Sequence, residues 1–440
     1  MRRMKCILVL LILIYMGIAL SATIEIPLTY SDPAKSADRT PFSATKPLEI
    51  FTTQPEGNWK LPKFNCSLPL FTMVTLGETK RLVAFDYKSA NDKFYTLMYY
   101  DENANGDLTD DTPVDGNYQN VWSSHRTSFP ANYSKTTWYT LDGVKQECSL
   151  YFTCQASELY RIDLANEVPG PRCSMTTGSY YSGIFQLHEK THNICLVDRN
   201  LNGYFGDTLS TTSVTPSGQI FGDGDGFYIS DKSKIEYYDG IKIPDYLVLD
   251  DTIYEMKINL PARKVILTPY IGETIPVTLN MRAEHLNMLD VDSMKSVGMY
   301  RPALQIPVPA GTYQVYEYQL LTEDKKGSLW QIVARGTKDT PLQILSAQGK
   351  RSLLFGEPFI VSARIPDYSL ETFNQRGGIL NVNLFFSGAV HEAITVLSRK
   401  AGAASEILLS NSIKSRPKEA SYKIIKSTGE SVASGTMKYG

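Results

Sequence analysis

Short apolar runs alternating with polar residues recur along most of the chain, and turn-forming residues separate them. Arg81 to Tyr87 and Phe94 to Tyr100 are two such runs, joined through Ser89-Ala90-Asn91-Asp92. Ile184 to Leu187 and Asn193 to Val197 make a second pair. Strand side chains point alternately to opposite faces, so a period of two predicts hairpins packed on one face. Ile241 to Val248, Ile253 to Leu260 and Val265 to Tyr270 predict further strands. After Pro309-Ala-Gly-Thr-Tyr313 the pattern resets, with runs at Tyr313 to Leu321, Ser328 to Arg335, Pro358 to Ile365, Ile379 to Phe386 and Glu392 to Leu397. Ser421 to Ser427 and Ser431 to Tyr439 form a last hairpin through Thr428-Gly429. Roughly seven short strands with regular turns predict an immunoglobulin-like sandwich over 301–440. Sustained helical periodicity is missing; the most helix-like residues lie in 281–300, read as a linker.

Two strands run straight into a repeated polar pattern. Asp101, Asn103, Asn105, Gly106 and Asp110 recur as Asp198, Asn200, Asn202, Gly203 and Asp207, each 97 positions on, and Phe205 matches Leu108. Hard cations such as Ca²⁺ take oxygen ligands from alternate positions of a tight turn, with glycine at the sixth position. The expected ligands of the first loop are the side chains of Asp101, Asn103 and Asn105, the Asp107 carbonyl and the Asp110 carboxylate. Those of the second are Asp198, Asn200, Asn202, the Tyr204 carbonyl and Asp207. The glutamate that closes an EF-hand at position twelve is replaced by Thr112 and Leu209. With two carboxylates and two amides each, the loops fit the weak extracellular class, about 10⁻⁴–10⁻³ M. A third stretch, Phe221-Gly-Asp-Gly-Asp225-Gly226, cannot ligate at its first position and reads as a glycine-rich turn.

Composition narrows the setting. There are 27 tyrosines and a formal net charge of -2, which suits strands and gives no electrostatic case for nucleic acid. Arg2, Arg3 and Lys5 precede an apolar run, Ile7 to Ala19, and a small-residue cleavage motif, Ala19-Leu20-Ser21-Ala22. That is the layout of a secretory signal, so the mature chain is expected to be secreted, periplasmic or on the cell surface, with no transmembrane segment after cleavage. Five cysteines follow it: Cys66, Cys148, Cys154, Cys173 and Cys195. Cys148 and Cys154 share one predicted strand and would stand about 20 Å apart, too far to bond. Pairing with Cys173 or Cys195, or burial as free thiols, both remain open.

His188-Glu-Lys-Thr-His192 matches H-E-x-x-H, which on a helix would place two imidazoles and a general base around zinc. The 97-residue offset instead sets His192 against Tyr95 in a strand, with the preceding residues on a turn. A zinc peptidase is therefore the alternative reading. Trp59, Trp122, Trp138 and Trp330 could line a sugar platform, which makes a carbohydrate-binding or glycan-acting protein the third reading; core packing is the commoner use of such residues.

The runs Tyr95 to Asp110 and Ile194 to Asp207, and the ending Tyr422-Lys-Ile-Ile-Lys-Ser-Thr-Gly-Glu-Ser-Val-Ala-Ser-Gly, resemble uncharacterised secreted bacterial β-proteins with short EF-hand-like or dockerin-like calcium loops. The resemblance implies a calcium-loop β-domain followed by an immunoglobulin-like module, and no activity. The expected organisation is a signal peptide (1–22), an extended lead-in (23–63), a β-domain bearing both loops (64–280), the linker and the sandwich. The expected function is a non-enzymatic, calcium-binding exported module for adhesion, structure or binding of an extracellular protein or glycan.

Overall fold

The computed structural model describes residues 22–32, 43–121, 124–130, 135–157, 171–209, 212–215, 218–232, 235, 240–324, 326–346, 348–349, 351–365, 369, 371, 375, 383–401, 404–407 and 421–436. Nearly all of the expected signal segment, Trp122 and the end of the last expected strand lie outside the described residues. The described chain is almost entirely β, in several sheets. No helix among the described residues is long and apolar enough to cross a membrane.

The chain divides into two compact units. The first takes residues up to Ser210, Asp223–Ile243 and Glu255–Pro269. It contains an antiparallel meander of Leu70–Leu76, Thr79–Asp86, Leu97–Tyr100 and Val114–Asp115. A second sheet orders Ala44–Leu48, Arg172–Thr177, Val144–Ser157, Ser124–Phe129 and Asn117–Val121. A third orders Thr29–Ser31, Tyr180–Leu187, Lys190–Val197, Gly226–Ser230 and Gly240–Lys242. All three sheets feed one core, through Val83, Phe85, Phe129, Phe152, Met175, Val197 and Tyr228 among others. Thr79–Asp86 is covered on both faces. Val83 and Phe85 enter that core, while Leu82 and Ala84 enter a second cluster with Phe71, Tyr99 and Leu108.

The lead-in is built into this unit. Ile24–Pro27 pairs with Lys264–Pro269, setting Ile26 opposite Val265, both buried. Arg81 is fully buried as well, its guanidinium 4.7 Å from the Trp138 ring and 5.8 Å from that of Tyr100. The indole and phenol faces offer the cation an electrostatic partner where water is excluded.

The second unit comprises Thr211–Gly222, Pro244–Tyr254 and Tyr270–Gly440. Its larger sheet includes, in order, Tyr246–Leu249, Lys295–Tyr300, His285–Asp290, Gly311–Glu323, Leu329–Arg335, Ala393–Ala401, Asn383–Ser387 and Ile360–Arg364. The first pairing is parallel and the others are antiparallel. A smaller sheet sets Thr274–Leu279 between Gln305–Pro309 and Ser352–Leu353. Ile275, Val277, Ile306 and Val308 from the small sheet share a core with Leu286, Met288, Val297, Val315 and Tyr318 from the large one.

This arrangement differs from the expected linker over 281–300. That stretch supplies two central strands, and every residue of His285–Asp290 is buried. A strand covered on both faces shows no alternation, and Leu and Met favour helices, so its local signal points the wrong way.

Gly77 turns the chain between Leu70–Leu76 and Thr79–Asp86 with φ +54°, and its N–H donates to the Asn202 carbonyl at 2.5 Å. A Cβ here would clash with the Thr140 carbonyl oxygen. Gly77→Ala is expected to cost about 1–3 kcal/mol, the range for overpacking, read as a lowered urea midpoint with unchanged slope. An unaltered midpoint would show that this contact is not tight.

Candidate metal centre

The first loop begins where its strand ends. Asp101 N–H still bonds the Leu82 carbonyl at 3.1 Å, continuing the ladder, and the side chain is fully buried. Asp101 Oδ1 accepts the Asn105 N–H at 3.0 Å and Oδ2 accepts the Gly106 N–H at 3.2 Å. Asn103 Oδ1 also accepts the Asn105 N–H, at 3.0 Å, and Asn105 Oδ1 accepts the Asp107 N–H at 2.7 Å. The amide groups of Asn105 and Asn103 donate to Asp110 Oδ2 at 2.9 and 3.3 Å. Ala104 and Gly106 take φ of 58° and 81°, the left-handed conformation that folds the bend; it costs a non-glycine residue about 1–2 kcal/mol.

The second loop reproduces this pattern bond for bond. Asp198 Oδ1 accepts the Asn202 N–H at 3.2 Å, and Oδ2 accepts the Gly203 N–H at 2.7 Å. Asn200 Oδ1 takes the Asn202 N–H at 3.0 Å, and Asn202 Oδ1 takes the Tyr204 N–H at 2.8 Å. The amides of Asn200 and Asn202 donate to Asp207 Oδ2 at 2.9 and 2.5 Å. Leu201 and Gly203 are left-handed, at 53° and 89°. Each loop also plants its apolar residue inward. Leu108 joins the cluster behind the meander, and Phe205 packs edge-on against Tyr181 and Tyr30.

The expected side chains therefore gather in both copies, with the asparagine amide nitrogens, not their oxygens, facing Asp110 and Asp207. Asp107 has a separate use for its side chain: its carboxylate bonds Lys60 at 2.7 Å and Thr109 N–H at 2.8 Å. The Lys60 hydrogen bond and the Thr109 hydroxyl hold that carboxyl low, at about 2. Lys60 N–H bonds the Gly106 carbonyl and Leu108 N–H bonds the Lys60 carbonyl, both at 2.9 Å. That bridge does not use the Asp107 carbonyl, the ligand expected from this residue. Tyr204 is partly exposed at the corresponding place.

Each loop is braced by one more carboxylate. Asp111 accepts the N–H of Glu102, the residue after the first loop aspartate. Its counterpart by offset is Thr208, which carries no carboxylate. The second loop borrows Asp225 from the glycine-rich turn before Gly226–Ser230. Asp225 Oδ1 accepts the Arg199 N–H at 2.9 Å and Oδ2 the Asp207 N–H at 3.1 Å; its own N–H bonds the Asp207 carbonyl at 2.8 Å. The acidic turn at 221–226 thus ties together the two ends of the second loop. Gly224, with φ +85°, permits its close approach to the Thr208 carbonyl.

Burial raises these acids. Asp225 is pushed up to about 8 by burial and then by the charge of Asp198. Asp198 is pushed to about 6 by burial, against the N–H bonds that favour its charged form. Asp111 rises to about 6, again chiefly by burial. None of the three has an ion pair with Lys or Arg among the described residues.

A carbonyl or carboxylate oxygen has two lone pairs. Asn103, Asn105, Asn200 and Asn202 each give one to a loop N–H and retain one for a cation. The donor set is oxygen alone, hard and flexible, as Ca²⁺ prefers. It draws on amides and carbonyls; among the described residues no three His, Cys, Asp or Glu side chains gather as a metal cage.

The H-E-x-x-H segment is a hairpin turn. His188 and Glu189 link Tyr180–Leu187 to Lys190–Val197 with φ of 46° and 66°. His188 and Glu189 are exposed, while His192 is buried and stacked on Phe185, opposite it across the ladder, at 5.1 Å. The helical face required by zinc-peptidase chemistry is not formed there. The described tryptophans have separate packing roles. Trp59 flanks Gly106, Trp138 stacks with Arg81, and Trp330 donates to Asp324 at 3.0 Å. Compared with protein families, curated proteins and solved structures, the chain matches none.

The raised acids fix the sign of a pH effect. Their folded values lie above the unfolded value of about 3.9, so the folded state binds more protons and stability falls as pH rises. In chelator, this contribution is fully present below about pH 4 and is lost as pH passes 6 and then 8. Thermal melts in chelator are expected to show a higher midpoint at pH 5 than at pH 8, with the difference reduced in Asp225→Asn. An equal difference in the variant would remove Asp225 from the account.

Proposed function

We propose that the two loops bind Ca²⁺ and that the protein is an exported, non-enzymatic β-protein whose loops are stiffened by the ion. Asp101, Asn103, Asn105, the Asp107 carbonyl and Asp110 would hold one ion. Asp198, Asn200, Asn202, the Tyr204 carbonyl and Asp207 would hold the other. The observation that carries this reading is the duplication of the whole bonding pattern, with a buried aspartate receiving two backbone N–H groups at the head of each loop. An Asx turn needs one such bond; five positions repeating their separate roles at a fixed offset exceed what a turn requires. The buried acids of the second loop add a reason, since a bound cation would offset the cost of charging them.

Asp111 and Asp225 act as braces in this reading, because their contacts are backbone N–H groups behind the loop. The strands of 301–440, which share a core with Thr274–Leu279 and His285–Asp290, are read as an immunoglobulin-like module serving surface or periplasmic adhesion, structure or binding of an extracellular protein or glycan.

Melting in EDTA and in Ca²⁺ tests the calcium reading. For a site with Kd near 10⁻⁴ M, about 10 mM ion stabilises by about 2.7 kcal/mol. Wild-type protein is expected to melt several degrees higher in Ca²⁺, and Asp101→Ala plus Asp198→Ala to lose that gain. Identical wild-type melting in chelator and in 10 mM Ca²⁺ would rule the reading out.

A further inference from the structure

We propose that Cys154 and Cys173 form a cross-strand disulfide when the chain folds under oxidising conditions. The two residues are register partners on the antiparallel strands Val144–Ser157 and Arg172–Thr177. Directly opposed residues of an antiparallel pair have Cα atoms about 4.5–5.5 Å apart and side chains on the same face. That separation lies inside the range a disulfide spans, about 4.4–6.8 Å. Both thiols are buried in the core of the first unit, and the Cys154 thiol is in side-chain hydrogen-bond contact with Cys173.

Where the ladders place the other cysteines, they face residues of other types. Cys148 faces Thr137, and Cys195 faces Ser182 on one side and Tyr228 on the other. Cys66 lies beside Asp86, to which its N–H donates at 2.9 Å. Cys148 and Cys154 sit on one continuous strand, so their separation along it prevents a bond.

The reaction is a dithiol–disulfide exchange with a disulfide oxidant such as oxidised glutathione. One thiolate attacks the oxidant and forms a mixed disulfide, releasing one reduced thiol. The second thiolate then attacks the protein sulfur and releases the other. The S–S bond forms, two S–H protons leave, and two electrons reduce the oxidant to two thiols.

Timing follows from burial. Attack requires an accessible thiolate. In the folded protein Cys154 is 0% and Cys173 3% exposed, and burial raises the Cys154 thiol well above its ordinary range. The link therefore forms before the sheet closes, and a chain folded reduced stays reduced. This inference is independent of the cation loops.

The test refolds denatured, reduced protein in mixed oxidised and reduced glutathione, then unfolds it in iodoacetamide for peptide mapping. The expected product is 2 Da lighter than the reduced chain before alkylation, carries a Cys154–Cys173 linked peptide, and is alkylated at Cys66, Cys148 and Cys195. Native reduced protein given oxidised glutathione for the same time should show all five alkylated after unfolding. Refolded protein with both Cys154 and Cys173 alkylated, or with either joined to another cysteine, would overturn the proposal. So would ready formation of the link in the folded reduced protein, which would refute the burial argument for its timing. Cys173→Ser serves as the control: its melting temperature should not change with reductant, whereas that of the oxidised wild type should fall.

Discussion

The first unit is organised around a buried aspartate at the exit of a strand. Asp101 and Asp198 each gather two backbone N–H groups from four and five residues ahead. A carboxylate inside a core is costly unless hydrogen bonds or charge compensate it. Here the cost shapes the chain: the loop must curl tightly enough to bring its own N–H groups to the acid. The left-handed residues at the fourth and sixth loop positions follow from that demand, as does glycine at the sixth. The inward Leu108 and Phe205 then lock each curl to the body of the unit.

The surroundings differ although the loops match. The first is clamped from outside by the segment around Lys60, through two backbone bonds and an ion pair. The second is clamped by Gly77 and, at its ends, by Asp225. Asp111 and Asp225 show two ways of solving one problem, which is holding the N–H that follows the loop aspartate. The local solution needs one neighbouring residue; the distant one requires the sheet that carries Gly226–Ser230 to be in place. The second loop should therefore be coupled more strongly to folding of its sheet than the first.

The sequence showed the loops because their chemistry is local: alternating Asx residues, a glycine and a closing acid fall within ten positions. It showed the hairpins beside them because Tyr180–Leu187 is buried on one face and alternates. The hairpin turn at His188 followed from aligning the two copies. What was hidden is what depends on distant partners. Asp225 was visible as part of an acidic turn, but its tie to Arg199 and Asp207 spans 26 and 18 positions; the mismatch of Asp111 with Thr208 was the only local hint. His285–Asp290 was hidden for another reason: burial on both faces erases periodicity. The opposition of Cys154 and Cys173 depends on strand register, which spacing alone does not determine.

In the proposed function each curl holds one ion. A crystal structure determined from protein in millimolar Ca²⁺, with anomalous differences collected, tests it most directly. A peak is expected in each loop, ringed by oxygens at about 2.3–2.6 Å from the three leading Asx side chains, a main-chain carbonyl and the closing aspartate. Water or no density in both loops, with the asparagine amides still turned onto Asp110 and Asp207, would contradict it.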